Sequence, residues 1–380
     1  MKRKLIITME YPPQIGGIAT YTQNQAKYFD PNDVVILAPK SHNKKQLKLY
    51  DKKNFFPVIR KNFLYPIFIW PRWIRLFWQV LFILRKEAID VIYIHHILPV
   101  GYVACMIKKI KKIPFVIFSH GTDIQMLNKS KWKNYWVKKI IKNSDKIVFN
   151  SKNLKKKFLR FFSEFEDKTL VIYPEPDQIF FQPISEVKIS KARNKFALNG
   201  KKVLLSVSRL ADGKGFPHML RIMKKILTEE ANVVWLIVGD GPKRKYLQKE
   251  VQKNNLQNVV RFVGPVEHHN LPLFYNLADL FVLLTHPDEG REEGLGLVFL
   301  EAGACKLPVI AGKSGGVEEA VIHSQTGVVV DIYRGDKIVA NSIIEMLKNP
   351  DYAKRLAQNA YDRIKIDFNL KKQMEKINWN

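Results

Sequence analysis

Two carboxylates, Glu293 and Glu301, stand eight residues apart in EEGLGLVFLEAGACKLPVI, residues 292–310, around a glycine-rich turn and an apolar run. The chain carries a net charge of +28, so the question is which cations could join them. Upstream, SVSRLADGKGF places Arg209 and Lys214 five residues apart on a strand-to-helix loop. Arginine offers a planar fork and lysine a compact point charge, a pair suited to a diphosphate. Gly294, Leu295, Gly296 and Leu297 lead into a helix, and amides at a helix N-terminus favour a phosphate. Carboxylates accept hydrogen bonds from neighbouring hydroxyls, which is how ribose is commonly held. Glu301, about two turns on, is expected to be accessible to such a diol, and Glu293 suits sugar hydroxyls. Arg209, Lys214 and the loop amides would neutralise the phosphates. A ligand with hydroxyls at both ends of a diphosphate is a nucleotide sugar.

The first half holds two further candidates. GGIATY puts Gly16 and Gly17 directly after the first strand and turn. Their missing side chains let backbone amides approach a bulky anion, although many turns contain Gly-Gly. SHGTD sets His120 just past an apolar strand, placed to bond a substrate hydroxyl, to share a proton, or to cap the next helix. GDGP, residues 239–242, reads mainly as a turn. The two cysteines, Cys105 and Cys305, lie far apart in apolar surroundings, with no CxxC or Cys/His cluster. Zinc sites and disulfide frameworks are therefore not expected.

These residues need a scaffold. LIITM, DVVILAP, DVIYIHH, PFVIFSHG and DKIVFNS punctuate the first half; VLLSVSRL, VVWLIVGDG, VVRFVGP, LFVLLTH, PVIAG and GVVVD the second. Continuous apolar runs alternating with helical patterns indicate parallel sheets covered on both faces. Two such series imply an α/β chain of two doubly wound, Rossmann-like domains. The proline-rich YPEPDQIFFQP, residues 173–183, reads as the linker. The expected domains are 1–178, facing acceptor and membrane, and 184–365, binding the nucleotide sugar, with a helix in 366–380 crossing back to the first. Ligands sit beyond the carboxyl ends of parallel strands, so the expected site is the cleft between the domains.

Charge separates the halves. Residues 1–185 hold 33 basic and 13 acidic side chains; the rest hold 30 and 22. The first half should face something anionic. In FLYPIFIWPRWIRLFWQVLFILRKE, residues 63–87, the polar residues after Pro71, namely Arg72, Arg75, Gln79 and Lys86, make a narrow stripe on an apolar cylinder. Arginines and a proline argue against a spanning helix. KSKWKNYWVKKIIK sets Trp132 and Trp136 among lysines, and five of the seven tryptophans fall between 70 and 136. Tryptophan with Lys/Arg marks an element lying in a membrane interface. Expected contacts are Trp70, Arg72, Trp73, Arg75, Trp78, Trp132 and Trp136; the alternative is a core helix with an oily face and a basic rim. No nucleic-acid recognition motif accompanies the charge. MKRKLIITMEYPP reads as a first buried strand rather than a signal peptide, so the expected location is cytoplasmic, peripheral on the inner face of the cell membrane.

The ordered set resembles the retaining glycosyltransferases of family four, which have the GT-B fold. It comprises the early GG, HGTD, R-x4-K, GDGP, GxV before NLPLFYNLADLFVLLT, E-x7-E and SGGVEEAV, and it covers essentially the whole chain. The resemblance implies that Gly16 and Gly17 lie near the donor diphosphate, that Arg209 and Lys214 stabilise the departing phosphate, and that His120 lies near the sugar. Glu293 would contact the transferred sugar, Glu301 the ribose and Val266 the base. It implies transfer of a hexosyl unit with retention, from a UDP- or GDP-sugar as co-substrate, with neither a metal nor a cofactor required. The basic, Trp-rich first half points to a lipid-linked or membrane-proximal glycan as acceptor, as in cell-surface polysaccharide biosynthesis. Departures exist. THPDEGREEGLGL is longer and more charged than the usual serine-containing loop, YPEPD stands where Asn-Gly-Val-Asp is common, and Lys306 replaces a frequent glycine. None removes a phosphate ligand. The alternatives are a sugar-nucleotide epimerase on the same fold and a catalytically inactive membrane-associated scaffold.

Overall fold

The computed structural model describes residues 2–14, 16–40, 44–125 and 130–377. The chain forms two compact units. One runs to Pro174 and takes back the segment from Leu370; the other spans Glu175–Asn369.

The first unit is built on seven parallel strands: β1 (Lys4–Ile7), β2 (Val34–Pro39), β3 (Val58–Lys61), β4 (Val91–Ile94), β5 (Phe115–Ser119), β6 (Lys146–Phe149) and β7 (Thr169–Val171). Their order is β3-β2-β1-β4-β5-β6-β7. Alternate side chains go to opposite faces, and both faces are apolar. Leu5, Ile7, Ile92 and Ile94 join one core cluster, while Ile6, Val91, Tyr93 and Val116 join the other. That two-sided burial is why the central strands read as unbroken apolar runs. The edge strands differ. VIRK of β3 and TLV of β7 are short and only partly buried, so no continuous run announced them. The segment from Leu370 packs Leu370, Met374 and Ile377 into the cluster that contains Ile6 and Tyr11.

The second unit has six parallel strands: β8 (Lys202–Val207), β9 (Val233–Val238), β10 (Val260–Gly264), β11 (Leu280–Leu283), β12 (Val309–Gly312) and β13 (Val328–Val330), in the order β10-β9-β8-β11-β12-β13. VVWLIV of β9 is buried throughout, and its one polar side-chain atom, Trp235 Nε1, donates to Ser206 Oγ at 2.9 Å. Each sheet is thus a doubly wound, Rossmann-like layer, as the strand patterns indicate.

The strand order reverses between β1 and β4 in one sheet and between β8 and β11 in the other. Loops leaving the two central strands diverge there, which opens a crevice at their carboxyl ends. Gly16 and Gly17 follow β1. Arg209 and Lys214 follow β8, and Glu293 follows β11.

Candidate active site

In the second unit the loop after β8 passes close under the end of β11. Gly215 has φ 74, and a Cβ there would fall 2.0 Å from Leu284 O. Only glycine permits both the left-handed backbone and that approach. The loop thereby delivers Lys214, whose Nζ donates to Glu293 Oε2 at 2.5 Å. Arg209, on the same loop, is exposed and makes no ion pair with a described residue. Glu293 is held through its backbone. Its N–H donates to Ser314 Oγ at 3.2 Å, and Gly316 N donates to its carbonyl at 3.0 Å. Between these two, Gly315 sits at φ 55, where a Cβ would lie 2.1 Å from Glu293 O.

The helix Leu297–Ala304 follows, entered through Gly296 at φ 88. Glu301, one turn into it, is buried rather than open, with 4% exposure. Its Oε2 accepts a hydrogen bond from Tyr275 Oη at 2.8 Å. Burial pushes the Glu301 carboxyl up to about 7; the Tyr275 hydrogen bond opposes this and Asp177 adds to it. Val266, just past β10, is half-buried.

The charged loop after β11 closes on itself. Asp288 and Arg291 exchange backbone hydrogen bonds of 2.9 and 2.7 Å, and Arg291 also pairs with the Asp288 carboxylate at 2.9 Å. Between it and the loop after β8 lies a cavity of about 160 Å3, lined by Asp212, Gly213, His218, Lys243, His286 and Asp288 among others. Among the described residues, no group of three or more His, Cys, Asp or Glu is placed to hold a metal ion.

In the first unit, Gly16 caps the helix Gly17–Lys27, and a Cβ on Gly17 would meet nothing within 4 Å. One face of that helix turns Tyr21, Thr22 and Gln25 toward the ends of β4 and β5. There His95 Nδ1 lies 3.0 Å from His120 Nε2, and His95 Nε2 lies 2.8 Å from Gln25 Oε1. Thr22 Oγ1 is 3.2 Å from His95 Nδ1, and the Tyr21 ring meets His120 edge-on at 5.1 Å. Burial holds the imidazoles neutral. It pushes His120 down to about 3, with His96 adding, and His96 down to about 4. Asp123, of the same HGTD stretch, is pushed up to about 7 by burial, against a hydrogen bond from Ile97 N at 3.3 Å.

The residues expected at a membrane fall into two groups. In the segment 63–87 the helix is Ile74–Lys86, after Pro71, and its Leu76, Phe77, Val80 and Ile83 enter the core. Trp70, Trp78 and Trp132 are exposed. Trp73 and Trp136 are half-buried, Trp73 stacked on Tyr102 at 5.3 Å and Trp136 edge-on to it at 5.3 Å. Arg72 Nε donates to Tyr65 O at 2.8 Å, and Arg75 lies over the Tyr65 ring at 5.4 Å. Among the described residues no helix is long and apolar enough to cross a membrane.

Tyr275, Ser314, His95, Thr22 and Gln25 were not singled out from the sequence. Tyr275 lies within NLPLFYNLADLFVLLT, where it reads as one more apolar-face aromatic. For Thr22 and Gln25 the signal was available: polar side chains at helical spacing after Gly17, on the same face as Tyr21.

The two sheets, each with its chemistry-bearing residues at its own switch point, define a class, and comparison with known proteins agrees. The family described as Glycosyltransferase Family 4 matches residues 15–174, and the family described as Glycosyl transferases group 1 matches residues 188–363. The chain belongs to glycosyltransferase family four: it is a nucleotide-sugar glycosyltransferase of the GT-B fold. It is 28% identical to a GDP-mannose-dependent monoacylated alpha-(1-6)-phosphatidylinositol monomannoside mannosyltransferase of Corynebacterium glutamicum, over 96% of this chain and 93% of that one. It is 25% identical to an N-acetyl-alpha-D-glucosaminyl L-malate synthase of Bacillus anthracis, over 76% and 73%. Among solved structures it resembles Anabaena HepE in complex with UDP and glucose, with a TM-score of 0.83, 21% identity and coverage of 99% and 98%.

Proposed function

We propose that this glycosyltransferase moves a hexosyl unit from a UDP- or GDP-sugar to a lipid-linked or membrane-proximal glycan, with retention and without a metal. The setting is cell-surface polysaccharide assembly on the inner face of the membrane. The observation that carries the donor reading is the gathering of Arg209, Lys214 and Glu293 at the carboxyl ends of β8 and β11, with Lys214 and Glu293 bonded to each other. Cleavage of the donor's glycosidic C–O bond leaves positive charge on the sugar and negative charge on the diphosphate. Cations and amides already in place at the diphosphate lower that barrier. When the diphosphate arrives, Lys214 turns from Glu293 to the phosphate, and the freed carboxylate accepts from a sugar hydroxyl. The departing phosphate takes the acceptor's proton as its oxygen attacks the same face, so the configuration is kept. Neutral His120 is available to hydrogen-bond a sugar hydroxyl.

The lipid acceptor is supported by the phosphatidylinositol mannoside substrate in the name of the Corynebacterium relative, and by the basic, aromatic surface of the first unit. The test is a panel of UDP- and GDP-hexoses, read by thermal shift and by hydrolysis. The chosen donor is then incubated with membrane lipid extract, and the anomeric configuration of the product is determined by NMR. One nucleotide sugar should raise the melting temperature and be consumed. A panel in which none stabilises the protein and none is hydrolysed would overturn the proposal.

A further inference from the structure

We infer that Tyr275 is a positioning residue for the donor's ribose: it ties down Glu301 Oε2 and leaves Oε1 as the oxygen presented to the ribose hydroxyls. The inference rests on the reading that Glu301 takes the ribose.

Three observations carry it. First, the Tyr275 hydroxyl lies 2.8 Å from Glu301 Oε2, and Glu301 accepts no other side-chain hydrogen bond and pairs with no cation among the described residues. An ionised carboxylate has about four acceptor positions, so one donor leaves it under-satisfied. A pair of sugar hydroxyls supplies what is missing.

Second, Tyr275 is fixed from the ring outward. It is fully buried, stacked on Phe281 at 5.7 Å and met edge-on by Phe180 at 5.6 Å. Phe180 is itself pinned, since Cys305 Sγ donates to its carbonyl at 3.3 Å. A hydroxyl on so constrained a ring sets the rotamer of the carboxyl that it touches.

Third, the titratable groups around Glu301 favour its neutral form. Asp177, from the segment after Pro174, raises its carboxyl further, and the Cys305 thiol, just past the helix, is itself held neutral by burial. Tyr275 alone pulls toward the carboxylate, which is the form that accepts best from hydroxyls.

The test measures dissociation constants for UDP and GDP by calorimetry from pH 6 to 9, alongside their 2′-deoxy and 3′-deoxy counterparts. The proteins are wild type, Tyr275→Phe, Glu301→Gln and Glu301→Asp. The deoxy nucleotides subtract the phosphate's own titration. Tyr275→Phe keeps the ring and should weaken the ribonucleotide roughly five- to tenfold at pH 7, the scale of one lost hydrogen bond. It should leave the deoxy nucleotide that lacks the contacted hydroxyl unaffected. It should also move the pH midpoint of ribonucleotide binding upward, because the group that favours ionisation is gone. Glu301→Asp, which withdraws the carboxyl from the phenol without removing either group, should give the same ribose-specific loss. This second variant keeps the test decisive if Tyr275→Phe folds poorly. If both variants match wild type in affinity and pH profile while Glu301→Gln loses ribose discrimination, the inference falls and the donor reading stands. If Glu301→Gln too binds ribo- and deoxynucleotides as wild type does, both fall.

Discussion

Lys214 Nζ donates to Glu293 Oε2 at 2.5 Å, across 79 residues of chain, with both side chains mostly covered. The two groups proposed for opposite ends of one chemical event are therefore bonded to each other. This pairing keeps the cation extended toward the ends of β8 and β11 instead of free in solvent. The stability that the pair adds is still small, because an ion pair that water reaches in part contributes about 0–1 kcal/mol.

Losing Lys214 should thus cost chemistry rather than fold. Lys214→Ala and Arg209→Ala are each expected to lower kcat by about 10^2-fold or more, the scale on which a preorganised group facing developing charge contributes. Their melting temperatures should stay within a few degrees of wild type. Steady-state transfer assays and thermal denaturation check this together. Wild-type turnover in either variant removes the phosphate role from that residue.

Gly315 tests the backbone support of Glu293. Its φ of 55 is left-handed, and a Cβ would lie 2.1 Å from the Glu293 carbonyl oxygen. Gly315→Ala must therefore push that peptide away or distort itself, at about 1–3 kcal/mol of strain. The expected result is a lower melting temperature and a kcat loss comparable to that of Glu293→Gln. Gly17→Ala is the contrast, because a Cβ there meets open space. It should fold as wild type and reveal only whether a ligand needs that space.

How much of this could be read in advance follows from what each feature depends on. The central strands were legible because burial on both faces forces continuous runs such as VVWLIV. β3 and β7 were not, because edge strands need no such run. The places of Arg209, Lys214 and Glu293 after strand ends were legible, because the apolar runs VLLSV and LFVLL mark those ends. The partners Tyr275, Ser314 and His95 were not. Each meets its functional neighbour through tertiary packing between 21 and 26 residues away in sequence, and nothing local marks it. Burial of Glu301 was missed for the same reason: the helix pattern gives a position but not what covers it.

Metal removal gives a clean outcome. In the proposed reaction, Arg209, Lys214 and the amides leading into Leu297–Ala304 do the charge neutralisation that a divalent cation does elsewhere. Transfer rates measured in EDTA should equal those in buffer, and added magnesium or manganese should not restore activity to Lys214→Ala. A rate that falls in chelator and returns with metal contradicts the metal-independent scheme.

Asp123 predicts a pH dependence of stability. Its folded-state pKa is raised from an ordinary 3.8 to about 7 by burial. Between about pH 4 and 7 the unfolded chain loses this proton and the folded chain keeps it, so the group costs stability increasingly as pH rises. Asp123→Asn keeps an acceptor for Ile97 N but cannot ionise. The difference in melting temperature between variant and wild type should therefore move in the variant's favour from pH 5 to pH 8. A difference that does not change with pH refutes a proton-bearing Asp123.

The last expectation concerns the surface of the first unit. Ile67, Phe68 and Trp70 project from one loop with 84, 85 and 80% exposure, and Trp78, Phe82, Trp132 and Tyr135 are also exposed. The half-buried Trp73, Tyr102 and Trp136 form an aromatic link between the neighbourhoods of Trp70 and Trp132. Apolar side chains seldom project in this number from a surface that meets only water. The half of the chain that bears them is also the half with the large basic excess, so the proposed membrane setting expects an anionic lipid surface as the occupant. Each lysine or arginine near such a surface adds about 1 kcal/mol, screened by salt. The protein should sediment with vesicles containing phosphatidylglycerol and much less with pure phosphatidylcholine, and binding should weaken between low and physiological salt. The double variant Phe68→Ser, Trp70→Ser lies outside the core and should cut vesicle binding about tenfold or more without lowering the melting temperature. Equal sedimentation of variant and wild type would show that the loop's apolar side chains do not enter the bilayer, and no sedimentation of either would remove the membrane from the account.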